Sequence, residues 1–317
     1  MRPTTLCSPW AWLPPAIALA LVVAIHATGA NHALFLWLNH GGHVVGDVAW
    51  FHLTMLGDGA VALTLMLPSI RRAPGLFWAA LVAAMVAALW TQVTKQLIDV
   101  PRPLSVFGAG QFHLAGPAFR HVSFPSGHAA AAAALAGIWI LGVEGPALWR
   151  AALLGVAWLV GLSRIMVGVH WPLDVLWGML GGWLGAWCGL ALQARRRWHT
   201  AGWGGMLAGA VLMAVAGSLL VSHHIGMPAV MPAQRFLATV CFVWGAWELR
   251  GLARLRAAAA PAPAPMAATP YPAQAPPWRA GMARAASTKR QAWTWRRLRP
   301  LRLRWWSGRM QRRRRDG

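Results

Sequence analysis

Apolar residues run in long stretches through 11–29, 56–70, 75–94, 127–143, 148–166, 173–193, 202–222 and 235–249, divided by short polar or basic segments. About 20 helical residues cross the hydrocarbon core of a bilayer, so this pattern predicts eight transmembrane helices, the second and last of them short. Residues 11–29 also resemble the core of a signal peptide, with Ala27-Thr28-Gly29-Ala30 behind it. Trp10, Trp12 and Pro14-Pro15 are unlike a compact signal core and favour an uncleaved first span. The fold class is all-α, a polytopic membrane bundle.

Composition agrees. The 317 residues are 57% hydrophobic and only 11% charged, against about a quarter charged in a soluble domain. Such a chain cannot bury its apolar residues in one soluble core. Asp47, Asp58, Asp99, Glu144, Asp174, Glu248 and Asp316 are all the acidic residues present, and any that lies at membrane depth is costly. Cys7, Cys188 and Cys241 are too far apart for a Cys-x-x-Cys element and indicate neither a disulfide framework nor a zinc site.

The net charge of +22 changes the picture only at the C-terminus. Seventeen of the 29 basic residues lie from Arg250 onward, beyond the last apolar stretch, so the charge does not signal a nucleic-acid-binding domain. Residues 257–278 form an Ala/Pro linker expected to be disordered. The Trp/Arg clusters after it suit either adsorption to anionic lipid or a plain solvated charge run. Within the membrane region, Arg71-Arg72, Arg150 and Arg195-Arg196-Arg197 fall in alternate loops. The positive-inside rule then places them and both termini in the cytoplasm, with 30–55, 95–126, 164–172 and 223–234 outside.

Three segments on that outer side carry candidate chemistry. The first is Lys95 to Arg102-Pro103; the second is Pro125-Ser126-Gly127-His128; the third is Ser163-Arg164, His170 and Asp174. Singly, each has an ordinary explanation in a snorkelling lysine, a turn or a packed histidine. Together they bring three cations, a helix N-terminus, two histidines and a carboxylate to one face. Free N–H groups at Ser126-Gly127 and the charges of Lys95, Arg102 and Arg164 suit a phosphate dianion. His170 and Asp174 stand four apart, so a helix beginning at Pro172 lets the carboxylate hold one ring nitrogen and leaves the other as a nucleophile. Lys95 is one of two lysines beside 27 arginines, which fits a need there for a compact point charge. His32, His40, His43 and His52 match no familiar ligand spacing and read as interfacial histidines; Asp58 favours a helix N-terminus, and Asp99 reads as structural. His223-His224 receive no role.

The pattern Lys-x6-Arg-Pro, Pro-Ser-Gly-His and Ser-Arg-x5-His-x3-Asp resembles the signature of the type 2 phosphatidic acid phosphatase superfamily over roughly residues 50–193. With the apolar pattern, the resemblance gives a six-helix catalytic core within 1–193; two further helices in 194–249 and a tail over 250–317 lie outside the resemblance and follow from hydropathy and composition. It implies a metal-independent phosphatase with no cofactor. His170 would attack phosphorus, Asp174 would orient it, and His128 would protonate the leaving oxygen and then activate water. Lys95, Arg102, Ser126, Gly127 and Arg164 would bind the phosphoryl oxygens. The expected substrate is a lipid phosphate or pyrophosphate of the phosphatidic acid, phosphatidylglycerol phosphate, undecaprenyl pyrophosphate or lipid A type. The expected setting is a bacterial inner membrane with the site facing outward. Alternatives are a phosphotransferase on the same scaffold and a non-catalytic adaptor using the basic tail.

Overall fold

The computed structural model describes residues 8–108, 110–222 and 226–259, so Cys7, the pair His223-His224 and the linker and tail from 260 onward lie outside the described residues. Among these, secondary structure is helical throughout. Six helices are long and apolar enough to cross a membrane: α1 (Pro9–Thr28) and, after the short α2–α5 treated below, α6 (Pro74–Leu97), α9 (Ala147–Met166), α10 (Pro172–Arg196), α11 (Trp203–Val221) and α12 (Met231–Ala259, with a 3₁₀ turn before it). A shorter apolar helix, α8 (Gly127–Gly142), lies inside the bundle. With α7 (Pro103–Phe107) in the loop between α6 and α8, the set is complete.

The expected second span, 56–70, is not one helix. Before it come α2 (Asn31–His40) and α3 (Asp47–Leu56); the stretch itself holds α4 (Gly59–Thr64) and α5 (Ser69–Arg72). Two local causes break it. Asp58 accepts the Ala60 and Val61 N–H groups at 2.9 and 3.1 Å, which starts a new helix in place of continuing α3. Pro68 has no N–H to give Thr64, and the chain tightens to i→i−3 bonds, with Leu67 N–H on Thr64 and Ser69 N–H on Met66. The segment still traverses the bundle: Asp47 at its start pairs with His113 in the loop after α7, and Arg72 at its end pairs with Glu248 of α12. The last span also differs, since α12 runs through 250–259, residues expected to belong to the tail.

Helix α10 is the axis, packed along both α6 and α8 with α1 on a third side. Hydrophobicity gives no preference for helix over lipid, so close approach depends on small residues. A Cβ on Gly182 would collide with the Ala130 carbonyl of α8, and one on Gly189 with the Ala79 carbonyl of α6. The alanine run 129–134 of α8 presents the complementary flat face. Helices α11 and α12 pack on each other and join the core through α4 and α5.

Candidate active site

The ends of four long helices meet at one end of the bundle: the C-termini of α6 and α9, and the N-termini of α8 and α10. This brings the three sequence segments together. Ser126 is the N-cap of α8; its Oγ accepts the Ala129 N–H at 3.4 Å, and its own N–H donates to the Asp174 carbonyl at 2.9 Å. The first turn of α8, carrying Gly127 and His128, is thereby fixed against the first turn of α10. Asp174, at the third position of α10, reaches back to the Trp171 N–H at 2.9 Å, as an acidic N3 residue does.

His170 Nδ1 lies 3.1 Å from Asp174 Oδ2, with both residues buried. A carboxylate oxygen only accepts, so the ring proton sits on Nδ1 and Nε2 keeps its lone pair. Gly168, at φ +80°, turns the chain tightly after α9, and the Arg164 carbonyl accepts the Val169 and His170 N–H groups at 3.1 and 3.3 Å. Burial, and then the charges of Arg102 and Arg164, hold the His170 imidazole well below the ordinary histidine pKa. It is therefore neutral at neutral pH, the form a nucleophile needs.

The three expected cations behave differently. Arg102 is buried, and its guanidinium donates to the carbonyls of His121 at 3.0 Å, Val169 at 3.0 Å and Val122 at 3.3 Å. Three of the five donors of this side chain thus hold the loops on either side of the site, and the remainder are free for a ligand. Burial also lowers its pKa from the ordinary arginine value. Arg164 is only 4% exposed, yet its side chain has neither hydrogen bond nor ion pair among the described residues, and its Nε is buried without a partner. Lys95, half-buried at the end of α6, has none either. His128 Nε2 is likewise buried and unpartnered. Buried polar groups are nearly always satisfied. Several unsatisfied donors converging beside a free helix N-terminus therefore mark an anion site.

Sequence reading missed several contributors. Ser123 donates its hydroxyl to Asp174 Oδ2, and the fully buried Trp171 fixes the first segment through Nε1–H on the Pro101 carbonyl at 2.8 Å. Thr54 and Ser163 share a buried hydroxyl pair at 2.7 Å beside Arg164. Ser163 belongs to the third segment but its partner Thr54 gave no signal, and Ser123 was marked only by standing next to the second segment. The histidines before the second span are accounted for separately. His40 and His52 bond carbonyls of their own helices, His32 stacks on Trp171, and His43 packs on His113. Asp58 caps a helix as expected, and Asp99 lies exposed in the loop after α6. No cluster suited to holding a metal ion occurs among the described residues.

The pattern that describes the PAP2 superfamily matches residues 75–198, from α6 to the end of α10. An undecaprenyl-diphosphatase from Sulfolobus acidocaldarius is 28% identical over 173 residues, which is 53% of this chain and 81% of the relative. The crystal structure of Aquifex aeolicus LpxE is 30% identical, covering 51% of this chain and 94% of that one, with a TM-score of 0.47. The chain is an integral membrane phosphatase that belongs to the PAP2 superfamily.

Proposed function

We propose that the protein hydrolyses a lipid phosphate monoester or lipid pyrophosphate through a phosphohistidine, without a metal ion, at the extracytoplasmic face of the membrane. The phosphoryl group binds where Arg164, Lys95, the free donors of Arg102 and the Ser126-Gly127 end of α8 converge. His170 Nε2 attacks phosphorus while the bond to the leaving oxygen breaks, and His128, which takes up a proton once the phosphate's negative charge binds beside it, gives that oxygen its proton. His128 then takes a proton from water as the water oxygen attacks phosphorus, the P–N bond breaks, and phosphate leaves with His170 restored. Asp174 holds the Nδ1 proton throughout and offsets the charge that develops on the ring. The charge neutralisation that a metal often supplies comes here from three side-chain cations and a helix terminus.

The observation that carries the lipid reading is a cavity of about 330 Å³ between α4, α6 and α8. Its walls are apolar, with Ala84, Ala88, Ala131, Leu135 and Ile138 among them, and its polar end is Gly127-His128. From His128 to Ile138 is ten residues of α8, about 15 Å at ~1.5 Å per residue. The cavity touches His128 but neither His170 nor Asp174. An in-line displacement by His170 sends the leaving group away from the nucleophile, towards the residue that protonates it. A hydrocarbon chain attached to the leaving oxygen then runs down this slot. The name of the archaeal relative supports a polyprenyl diphosphate as the first substrate to try.

Outward orientation is supported by charge: Arg71, Arg72, Arg150 and Arg195 to Arg197 lie towards the end of the bundle opposite the site, the cytoplasmic end by the positive-inside rule. The test is phosphate release by detergent-purified protein in EDTA against undecaprenyl pyrophosphate, phosphatidic acid, phosphatidylglycerol phosphate and a lipid A phosphate, beside soluble phosphate esters. Metal-independent release from one lipid in strong preference to soluble esters is expected. Equal rates on soluble esters, or a requirement for added metal, would refute the reading. Phosphate passed to another lipid in place of water would identify a transferase.

A further inference from the structure

We propose that Ser123 is a positioning residue for the His170–Asp174 pair, acting through the Asp174 carboxylate. The inference rests on the role given above to that pair and extends it to a third side chain. Ser123 is fully buried. Its hydroxyl donates to Asp174 Oδ2, the same oxygen that receives the His170 Nδ1 proton at 3.1 Å and the Trp171 N–H at 2.9 Å. Its backbone N–H donates to the Val100 carbonyl at 2.8 Å, inside the stretch that joins Lys95 to Arg102. It stands three residues before Ser126, the N-cap of the helix that carries His128. One residue thus ties all three chemistry-bearing segments to a single carboxylate oxygen.

The arrangement has a mechanical consequence. The Trp171 N–H approaches Oδ2 from the start of α10 itself and moves with Asp174 as one unit. Ser123 approaches from a different part of the chain, the loop that precedes α8. It therefore fixes the rotation of the carboxylate relative to the phosphate site, which the Trp171 contact does not. A carboxylate free to rotate no longer aims Oδ2 at Nδ1, and the bias that keeps the His170 lone pair on Nε2 weakens. Loss of a hydrogen bond to the charged form also favours protonation of the pair. The outer partners of metal-ligating histidines matter by about 10- to 100-fold, and a loss on that scale is expected for this pair.

The experiment is a double-mutant cycle on the full-length, detergent-purified protein, read as kcat, KM and pH profile at saturating lipid substrate. Ser123→Ala is expected to lower kcat by about 10- to 100-fold with KM within about twofold, and to move the acidic limb of the rate profile to higher pH. Ser123→Thr, which keeps the hydroxyl, should recover most of the loss. In an Asp174→Asn background the same Ser123→Ala change should cost less than about twofold, because the route through the carboxylate is already broken. Unchanged kcat and pH profile in Ser123→Ala would overturn the proposal. So would an equal loss in both backgrounds, which would make Ser123 a merely structural residue. Full turnover in Asp174→Asn alone would instead remove the pair from the mechanism, and the role of Ser123 with it.

Discussion

Where α10 begins, the Arg164 side chain is buried with no hydrogen bond or ion pair among the described residues; towards its other end, Arg71 and Arg72 each close on Glu248 at 2.6 Å. Trp244 adds an N–H to the same carboxylate at 3.2 Å. Each site holds one buried charge, Arg164 at the first and the Glu248 carboxylate at the second, and an unpaired buried charge is costly. One site resolves the cost internally and joins α5 to α12. The other leaves it unresolved, and on the proposed function a phosphate dianion would remove the penalty on arrival. The contrast is between Arg164 and the Arg71-Arg72 pair; Arg102 stands between them, with three donors spent on the His121, Val122 and Val169 carbonyls and two left over.

Substitutions sharpen that contrast, beginning with the largest effect. His170→Ala should abolish turnover, by about 10⁴-fold or more, since no other group supplies the attacking lone pair. Arg164→Ala should lower kcat/KM by about 10²- to 10³-fold, the usual cost of losing a preorganised donor to the transition state. Its melting temperature should hold or rise, because an uncompensated buried charge has been removed. A fall of several degrees with activity retained would break the contrast. Ala131→Phe, which fills the slot beside His128, should cost about tenfold or more in kcat/KM on long-chain lipid phosphates, with short-chain esters little affected. Glu248→Gln should show the inverse of Arg164→Ala. Turnover should stay within about twofold while stability falls by about 1–2 kcal/mol, a figure reduced because Arg71 and Arg72 are partly exposed.

The smallest effect is one of pH. A His170 whose folded pKa is depressed stays neutral to below pH ~6.5, so the rate should persist on the acid side of that value. Stability has the matching sign. Above about 6.5 both folded and unfolded states hold the neutral ring; below it the unfolded state binds the proton first, and stability declines as the pH falls. His170→Gln should flatten that part of the stability profile, as measured by thermal melting from pH 7 to 5.

Much of this was legible in the sequence, for physical reasons that differ by feature. Long apolar runs locate spans well because lipid leaves the backbone no alternative to a helix. The same rule misjudged 56–70, where Asp58 and Pro68 interrupt a stretch whose mean apolarity is unchanged. His170 and Asp174 were readable because one helical turn from Pro172 fixes their relation. The meeting of the three segments was readable because all lie at helix ends on one side. What Arg102 does was not. Its donors go to the carbonyls of His121, Val122 and Val169, and backbone acceptors leave no trace in residue type. Ser123 escaped for a related reason, since a lone serine in a loop carries no period or spacing. The continuation of α12 through 250–259 went unread because arginine-rich sequence there resembled the tail that follows it.

The proposed mechanism places phosphorus on His170. The most direct measurement is to mix the purified protein with a ³²P-labelled lipid phosphate, quench within one turnover, and assay label on the protein. The account predicts an acid-labile, alkali-stable phosphoenzyme in the wild-type chain and none in His170→Ala. Turnover in His170→Ala, or label that survives acid and maps to a serine, would contradict it.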